Sequence, residues 1–335
     1  MSKAEDIMAG INAAMAKKYK KNPPELMLGS TLPLVEWIST GLLGYDWING
    51  GGAPRGHIEQ IYGRKSSGKT SVSLARIAAC QRQGGTAAFI DVEHTLDKLW
   101  ARKMGVNLDE LILHEPFDES AETTLTVVQT MLEGGDIDMI VVDSIPALCP
   151  EAMMLKTLDD KHYGGNSGVL EQFFKKIIGT GVMYNSNCVL IFINQPRAVI
   201  GSRIPMERLP GGYSPGHYSS IMTEVKKGDW ITQGSGVNEE KIGVEVKLIN
   251  QKNKVRWPYK ESTLRLQFGN GFNVLHDTVF FAQRYDLITT SGAWGYYNGE
   301  QIGNGINQQM QWILEHKEIY FELKDKIVEL IRSGK

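Results

Sequence analysis

Eight consecutive residues, Gly63-Arg64-Lys65-Ser66-Ser67-Gly68-Lys69-Thr70, constrain this chain more than any other feature. They match GxxxxGK(S/T), follow an apolar β-type run at Ile58–Tyr62 and open a helical pattern over Lys69–Gln83. A phosphate-binding loop needs that setting. Glycines let backbone N–H groups wrap phosphate oxygens at a helix N-terminus, a lysine reaches the β/γ oxygens, and a hydroxyl ligates magnesium. Here Lys69 and Thr70 take the last two roles, and Gly63–Thr70 as a whole is the expected cradle. A glycine-rich turn with a solvated lysine is the bland alternative, and it leaves the flanking strand and helix unexplained.

The surrounding pattern agrees. Short apolar runs at Ala87–Asp91, Leu111–His114, Met139–Asp143 and Cys188–Asn194 alternate with helical spacing over Thr95–Met104, Glu119–Glu133 and Val169–Met183. Strands interleaved with helices predict an α/β fold with a largely parallel sheet covered on both faces. Beyond Gly211 the stretches Ser219–Glu224, Gly243–Ile249 and Thr263–Phe268 alternate in β fashion and are expected to be antiparallel strands at the far side of the sheet. A mixed segment from Asn270, closing in a helix over Glu315–Arg332, reads as a small α+β domain. At the other end Ile7, Ile11, Ala14 and Met15 form an apolar stripe before Asn22-Pro23-Pro24, which cannot continue a helix. This predicts a helical arm on a tether, either a packed terminus or a subunit-docking element. The expected division is 1–32 arm, 33–268 core and 269–335 small domain.

Three further residues fall at the sheet edge that carries the loop. Asp143 ends the run Met139-Ile-Val-Val-Asp143, as a buried strand delivering a carboxylate to magnesium would. Glu93 lies just past Ala87–Asp91 and could orient or deprotonate a water; alone it would be a solvated loop acid. Gln195 ends Leu190-Ile-Phe-Ile-Asn-Gln195, where an ordinary strand cap competes with a sensor of the terminal phosphate.

Formal charge is −2, from 36 Lys+Arg against 38 Asp+Glu, which gives no global reason to expect a polyanion. The average conceals an asymmetry: Thr86–Asp160 holds sixteen acidic and four basic residues, Lys161–Arg265 eight and fifteen. A polyanion should meet the second stretch. Cys80, Cys149 and Cys188 lack metal-ligand or disulfide spacing, which fits a reducing cytoplasm, and no apolar run is long enough to span a membrane.

Phe89-Ile-Asp-Val-Glu93-His94-Thr-Leu-Asp97, Ala101-Arg-Lys-Met-Gly-Val106, Ile140-Val-Val-Asp143-Ser144, Phe192-Ile-Asn-Gln195 and Lys252-Asn253-Lys254 resemble, in order and spacing, the RecA recombinases of bacteria and their phages. Ile38-Ser-Thr-Gly41 and Gly292–Gly303 extend the likeness over nearly the whole chain. The resemblance implies a P-loop NTPase core of RecA type, a DNA-dependent ATPase using ATP and Mg²⁺, that forms helical filaments on single-stranded DNA and exchanges strands with a homologous duplex. It implies that Glu93 activates water, that Asp97 and Trp100 hold adenine, and that Gln195 couples ATP to DNA loops. Lys252 and Lys254 would reach the γ-phosphate of the neighbouring subunit; without the resemblance they read as a solvated basic face.

DNA loops are implied near Lys156–Asn166 and Pro196–Gly212, with Lys161, Arg197, Arg203 and Arg208 as phosphate contacts, Gly211 and Gly212 as flexible points and Ile200 as a wedge between bases. Pro196 and Glu207-Arg208-Leu209-Pro210 depart from the family pattern, which leaves the register of the second loop open. The sequence ends on Ile331-Arg-Ser-Gly-Lys335 without the acidic tail common in bacterial members, so weak restraint on duplex binding and a phage origin are expected. A hexameric helicase shares the core, but the arm and Gly292–Gly303 speak against it. A protein that only coats single strands under ATP control remains open.

Overall fold

The computed structural model describes residues 2–157, 165–198, 207–234 and 236–334. It divides into a unit ending at Glu36 and a second running from Trp37. In the first, the helix Lys3–Lys18 starts on a capping box between Ser2 and Glu5, and none of its residues is buried. The Asn12 amide brackets the tether, donating to the Leu26 carbonyl at 2.9 Å and accepting from its N–H at 2.7 Å.

The second unit is built on a nine-stranded sheet. Its strands, numbered along the chain, are β1 His57–Tyr62, β2 Ala87–Asp91, β3 Leu111–His114, β4 Met139–Asp143, β5 Val189–Asn194, β6 Ile221–Gln233, β7 Glu240–Asn253, β8 Glu261–Gln267 and β9 Gly271–Phe272. The spatial order is β9-β8-β7-β6-β1-β5-β4-β2-β3. From β6 to β3 every neighbouring pair is parallel, whereas β7, β8 and β9 are antiparallel additions. The expectation for Ser219–Glu224 therefore changes: that stretch lies in β6, which runs parallel to β1 with Ile221 opposite Glu59 and Glu224 opposite Tyr62. Alternation reports one covered face and carries no direction.

Period-two side chains split the core into two layers. Met139 and Val141 of β4 join Ile61, Val72, Ile77, Phe89 and Ile191 on one face, while Ile140 and Val142 join Ile90, Leu125, Phe174 and Phe192 on the other. The C-terminal segment supplies a third cluster, in which Val279, Phe281, Ile313, Leu323 and Ile327 pack with Leu43 beside a three-stranded antiparallel sheet. Among the described residues no helix is long and apolar enough to cross a membrane.

Helix boundaries follow local chemistry. The stretch Thr95–Met104 is helical only over Lys98–Lys103, because the Asp97 carboxylate accepts the Leu99 and Trp100 N–H groups and fixes the start. The helix expected to end at Met183 stops at Gly179, and a short turn resumes after Gly181, whose φ is 75°.

Parallel order brings the ends of β1, β2, β4 and β5 to one edge. What locks β1 to the helix behind it is charged and dry. Arg76 of the helix Lys69–Arg82 is fully buried, forms an ion pair with Glu59 of β1 at 2.9 Å and donates to the Tyr45 hydroxyl at 3.0 Å. Removing one partner of a buried pair strands the other charge and costs about 3–5 kcal/mol, whereas replacing both by apolar groups is often neutral. Glu59→Ala should lose stability on that scale in urea titrations, and the double variant Glu59→Leu with Arg76→Met should recover most of it. A loss below about 1 kcal/mol in the single variant, the level of an exposed pair, would show that the charge is not committed to Glu59.

Candidate functional site

The loop after β1 is shaped by contacts that only particular residues permit. A Cβ on Gly63 would stand 2.1 Å from the Val225 carbonyl oxygen, so any side chain there would push β6 away. Gly68, with φ 100°, turns the chain into the helix Lys69–Arg82, and Ser66 takes φ 58° just before it. The Lys69 ammonium donates to the Arg64 carbonyl at 3.0 Å, and burial pulls its pKa below the usual lysine value against the pull of Asp143 and Glu93. The Ser67 hydroxyl is buried in the loop without a hydrogen-bond partner. An unspent donor, a helix N-terminus and a lysine in one turn fit a phosphate ligand.

The next strand end over from β5 completes the edge. Thr70 donates to Asp143 Oδ2 at 2.7 Å, which brings together the two residues expected to hold magnesium. Burial is the main cause that pushes the Asp143 carboxyl up to about 6; the Thr70 hydrogen bond opposes it and Glu93 adds to it. A hydroxyl beside a desolvated carboxylate is an oxygen donor set suited to a hard divalent cation. Glu93 is exposed and accepts a hydrogen bond from Ser144, the residue after Asp143. Ser144 was not anticipated, although its place after the strand-ending acid was the available signal. Asp91, also at this edge, is occupied: its oxygens accept the Thr95 and Leu96 N–H groups.

Asp97 and Trp100 lie on the short helix past β2. One Asp97 oxygen caps that helix, and the Trp100 indole donates to Ser71 at 3.1 Å, tying this helix to the one behind the phosphate loop. The half-buried Trp100 ring also packs on the first core layer.

At the end of β5, Gln195 is half-buried and its N–H bonds the Asn194 side chain. Asn194 in turn donates to the Pro210 carbonyl at 3.0 Å, which closes the second loop at its base. Within that loop Arg197–Ala198 pairs antiparallel with Glu207–Arg208, so Arg197 and Arg208 stand opposite each other, exposed. Like charges facing across a ribbon repel, and a polyanion relieves this. Arg208 also lies 4.9 Å over the Tyr213 ring. Gly211 and Gly212, with φ 90° and 75°, leave no room for a Cβ beside Leu170 and Ser167. They are packed turn points. A cleft of about 750 Å³ runs between Pro146, Met153, Asn166, Arg197, Arg208 and Gly211. Lys161, Ile200 and Arg203 lie outside the described residues.

Lys252 and Lys254 are not brought to this edge. Lys252 pairs with Met222 near the start of β6 and donates to the Gly216 and His217 carbonyls at 2.6 and 3.0 Å; Lys254 reaches the His217 carbonyl at 3.2 Å. Burial, then the charge of Lys254, lowers the Lys252 pKa to about 8. At ~3.3 Å per residue, the rise from Ile58 to Gly63 puts the pair on the order of 15 Å from its own phosphate loop.

The raised Asp143 value has a measurable sign. An exposed aspartate titrates near ~3.9, so between about 4 and 6 the native state holds this proton and the unfolded chain does not, and stability falls as pH rises through that window. Asp143→Asn should abolish the fall, improving stability at pH 7 relative to pH 4 by about 2–3 kcal/mol against the parent in metal-free urea titrations. Parallel pH profiles for the two proteins would contradict the assignment.

Comparison with known proteins follows the same lines. A family model of the RecA N-terminal domain matches residues 9–273, and one of the RecA C-terminal domain matches 278–332. Protein RecA of Teredinibacter turnerae is 38% identical over 313 residues, covering 93% of this chain and 89% of that protein. Protein RecA of Acinetobacter baumannii is 37% identical over 336 residues, 99% of this chain and 94% of the relative. Among solved structures, the crystal structure of the RadB recombinase superposes with a TM-score of 0.50 at 19% identity over 70% of this chain and 98% of its own, a likeness of fold. With both domains matched in order and full-length relatives above one-third identity, the chain belongs to the RecA family and is a RecA-type recombinase.

Proposed function

We propose that this recombinase hydrolyses ATP with Mg²⁺ in a DNA-dependent manner, forming helical filaments of its own subunits on single-stranded DNA and pairing them with a homologous duplex in the cytoplasm. The arm over 1–32 docks on a neighbouring subunit, 33–268 is the ATPase core with both DNA loops, and 269–335 is a small accessory domain. The observation that carries the reading is the meeting, at one sheet edge, of the phosphate loop, the Thr70–Asp143 pair and the ribbon bearing Arg197 and Arg208.

Backbone N–H groups of Gly63–Thr70 hold the phosphates, and Lys69 exchanges the Arg64 carbonyl for a β/γ oxygen. Thr70 and Asp143 hold the magnesium, which when bound neutralises charge building on the phosphate oxygens. Glu93, oriented by Ser144, takes the proton of the attacking water. Asp97 and Trp100 flank adenine from the helix tied to Ser71. Gln195 sits where phosphate loop and DNA loop spring from adjacent strands, and passes the state of one to the other. Lys252 and Lys254 act on the nucleotide of the next subunit, since their own lies at the other end of the strand. Arg197 and Arg208, with Lys161 and Arg203, neutralise DNA phosphates without reading sequence.

Electron microscopy with a slowly hydrolysed ATP analogue and single-stranded DNA should show helical filaments; closed rings would remove the reading. Glu93→Gln should keep nucleotide binding and lose turnover, and Lys69→Ala should lose binding. Mixing Lys254→Ala with Lys69→Ala subunits should restore part of the ATPase activity that neither has alone. Co-assembled mixtures as inactive as both parents would refute the shared site.

A further inference from the structure

The return strand of the second loop carries Glu207. Glu207 faces Ala198 across the ribbon and sets Oε1 2.9 Å from Arg64 Nη2 of the phosphate loop. Arg64 is thus held at both ends: its carbonyl accepts from Lys69, and its guanidinium grips Glu207. Phosphate loop and ribbon leave hydrogen-bonded neighbours, β1 and β5, paired from His57 with Val189 to Tyr62 with Asn194. The ion pair therefore closes a small ring of chain between the two.

We propose that Glu207 is a positioning residue that couples the phosphate loop to the DNA-loop ribbon through Arg64, a second route beside Gln195; this rests on the nucleotide and DNA reading above. The pair stands in water, with Arg64 80% and Glu207 42% exposed, so it is weak enough to be contested. Nucleotide phosphates compete with the carboxylate for Arg64. DNA phosphates drawn to Arg197 and Arg208 add negative charge beside Glu207 and loosen its hold from the other side. Both ligands spend free energy opening the same contact, so whichever binds first spares the second that cost, and the effect is reciprocal. Its ceiling is the strength of the pair, a factor of about 1.4–5 in affinity, from about 0.2–1 kcal/mol at 1.4 kcal/mol per tenfold.

The test is titration of a fluorescent, non-hydrolysable ATP analogue into the full chain, with and without saturating oligo-deoxythymidylate. Wild type should bind more tightly with DNA. Glu207→Gln should bind the analogue alone about 1.4–5-fold more tightly than wild type while its DNA-bound affinity stays level, so that the ratio shrinks by that factor. Glu207→Asp, which keeps the charge, should keep most of the wild-type ratio. An unchanged ratio in Glu207→Gln, with thermal unfolding like the parent, overturns the coupling. So does a Glu207→Asp ratio as low as that of Glu207→Gln, which would assign the effect to ribbon shape. A wild type that binds both ligands with affinities that ignore each other overturns the coupling alone, whereas one that binds neither the analogue nor the oligonucleotide removes the nucleotide and DNA reading itself.

Discussion

The guanidinium of Arg76 is the contact on which this site is built. It joins the helix after the phosphate loop to the strand before it, through Glu59 at 2.9 Å, and lies 4.6 Å over the Tyr45 ring. The Tyr45 hydroxyl is 3.2 Å from Thr223 Oγ1, so β6 is drawn into the same network. The long side chains of the loop between β1 and its helix, Arg64 and Lys65, are exposed and anchor it to no core. Its shape is set by where the two ends are fixed, and by the Val225 carbonyl that forbids a side chain on Gly63. In a dry interior a charge pair tolerates little displacement, because each ångström of separation exposes an uncompensated charge. An apolar contact could supply comparable stability with less fixed geometry.

Electrostatics at the sheet edge follow from that frame. Asp143 and Glu93 both act on the partly desolvated Lys69, and Asp91 adds its charge beside Asp143. The fold disposes of Asp91 by giving its oxygens to backbone N–H groups at the start of the next turn. Asp143 keeps only the Thr70 hydroxyl, and burial makes its charge costly. A carboxylate that is desolvated and lightly bonded has the most to gain from a divalent cation. On the proposed reading, in which Thr70 and Asp143 hold magnesium, the burial that penalises this carboxylate would favour the cation.

Much of this was legible in the sequence, and the exceptions share a cause. The phosphate loop, the strand-ending Asp143 and the alternation of strands and helices are local patterns, in which spacing alone fixes the chemistry. Strand direction is not local: the alternation in Ser219–Glu224 fits either direction, and the stretch runs parallel to β1. Buried charge is hidden as well, since Arg76 sits in an ordinary helical stretch and only Glu59, beside Gln60 between the two isoleucines of its strand, hints at a partner. The pairing of Arg64 with Glu207 crosses from one loop to another, and nothing at either position announces it. Asp97 and Trp100 show the opposite case, residues singled out by resemblance that have structural employment as helix cap and as donor to Ser71.

Lys252 and Lys254 form a pair of like charges at the edge of the sheet opposite the phosphate loop. Both ammonium groups rest on carbonyl oxygens of Gly216 and His217, a few residues ahead of β6, at the end of the sheet remote from the phosphate loop. Two cations side by side are unfavourable, and the lowered pKa of Lys252 is the cost of burial and of its neighbour's charge. Carbonyl dipoles satisfy donors but neutralise no net charge, so the pair keeps a positive field directed outward. A concentrated anion lowers that energy most, and the phosphate loop of the same chain, at the other end of β1, is out of reach. On the proposed reading, in which identical subunits stack helically, one subunit's far end would meet another's near end, and a pair that is electrostatically costly in the single chain would gain its partner on assembly.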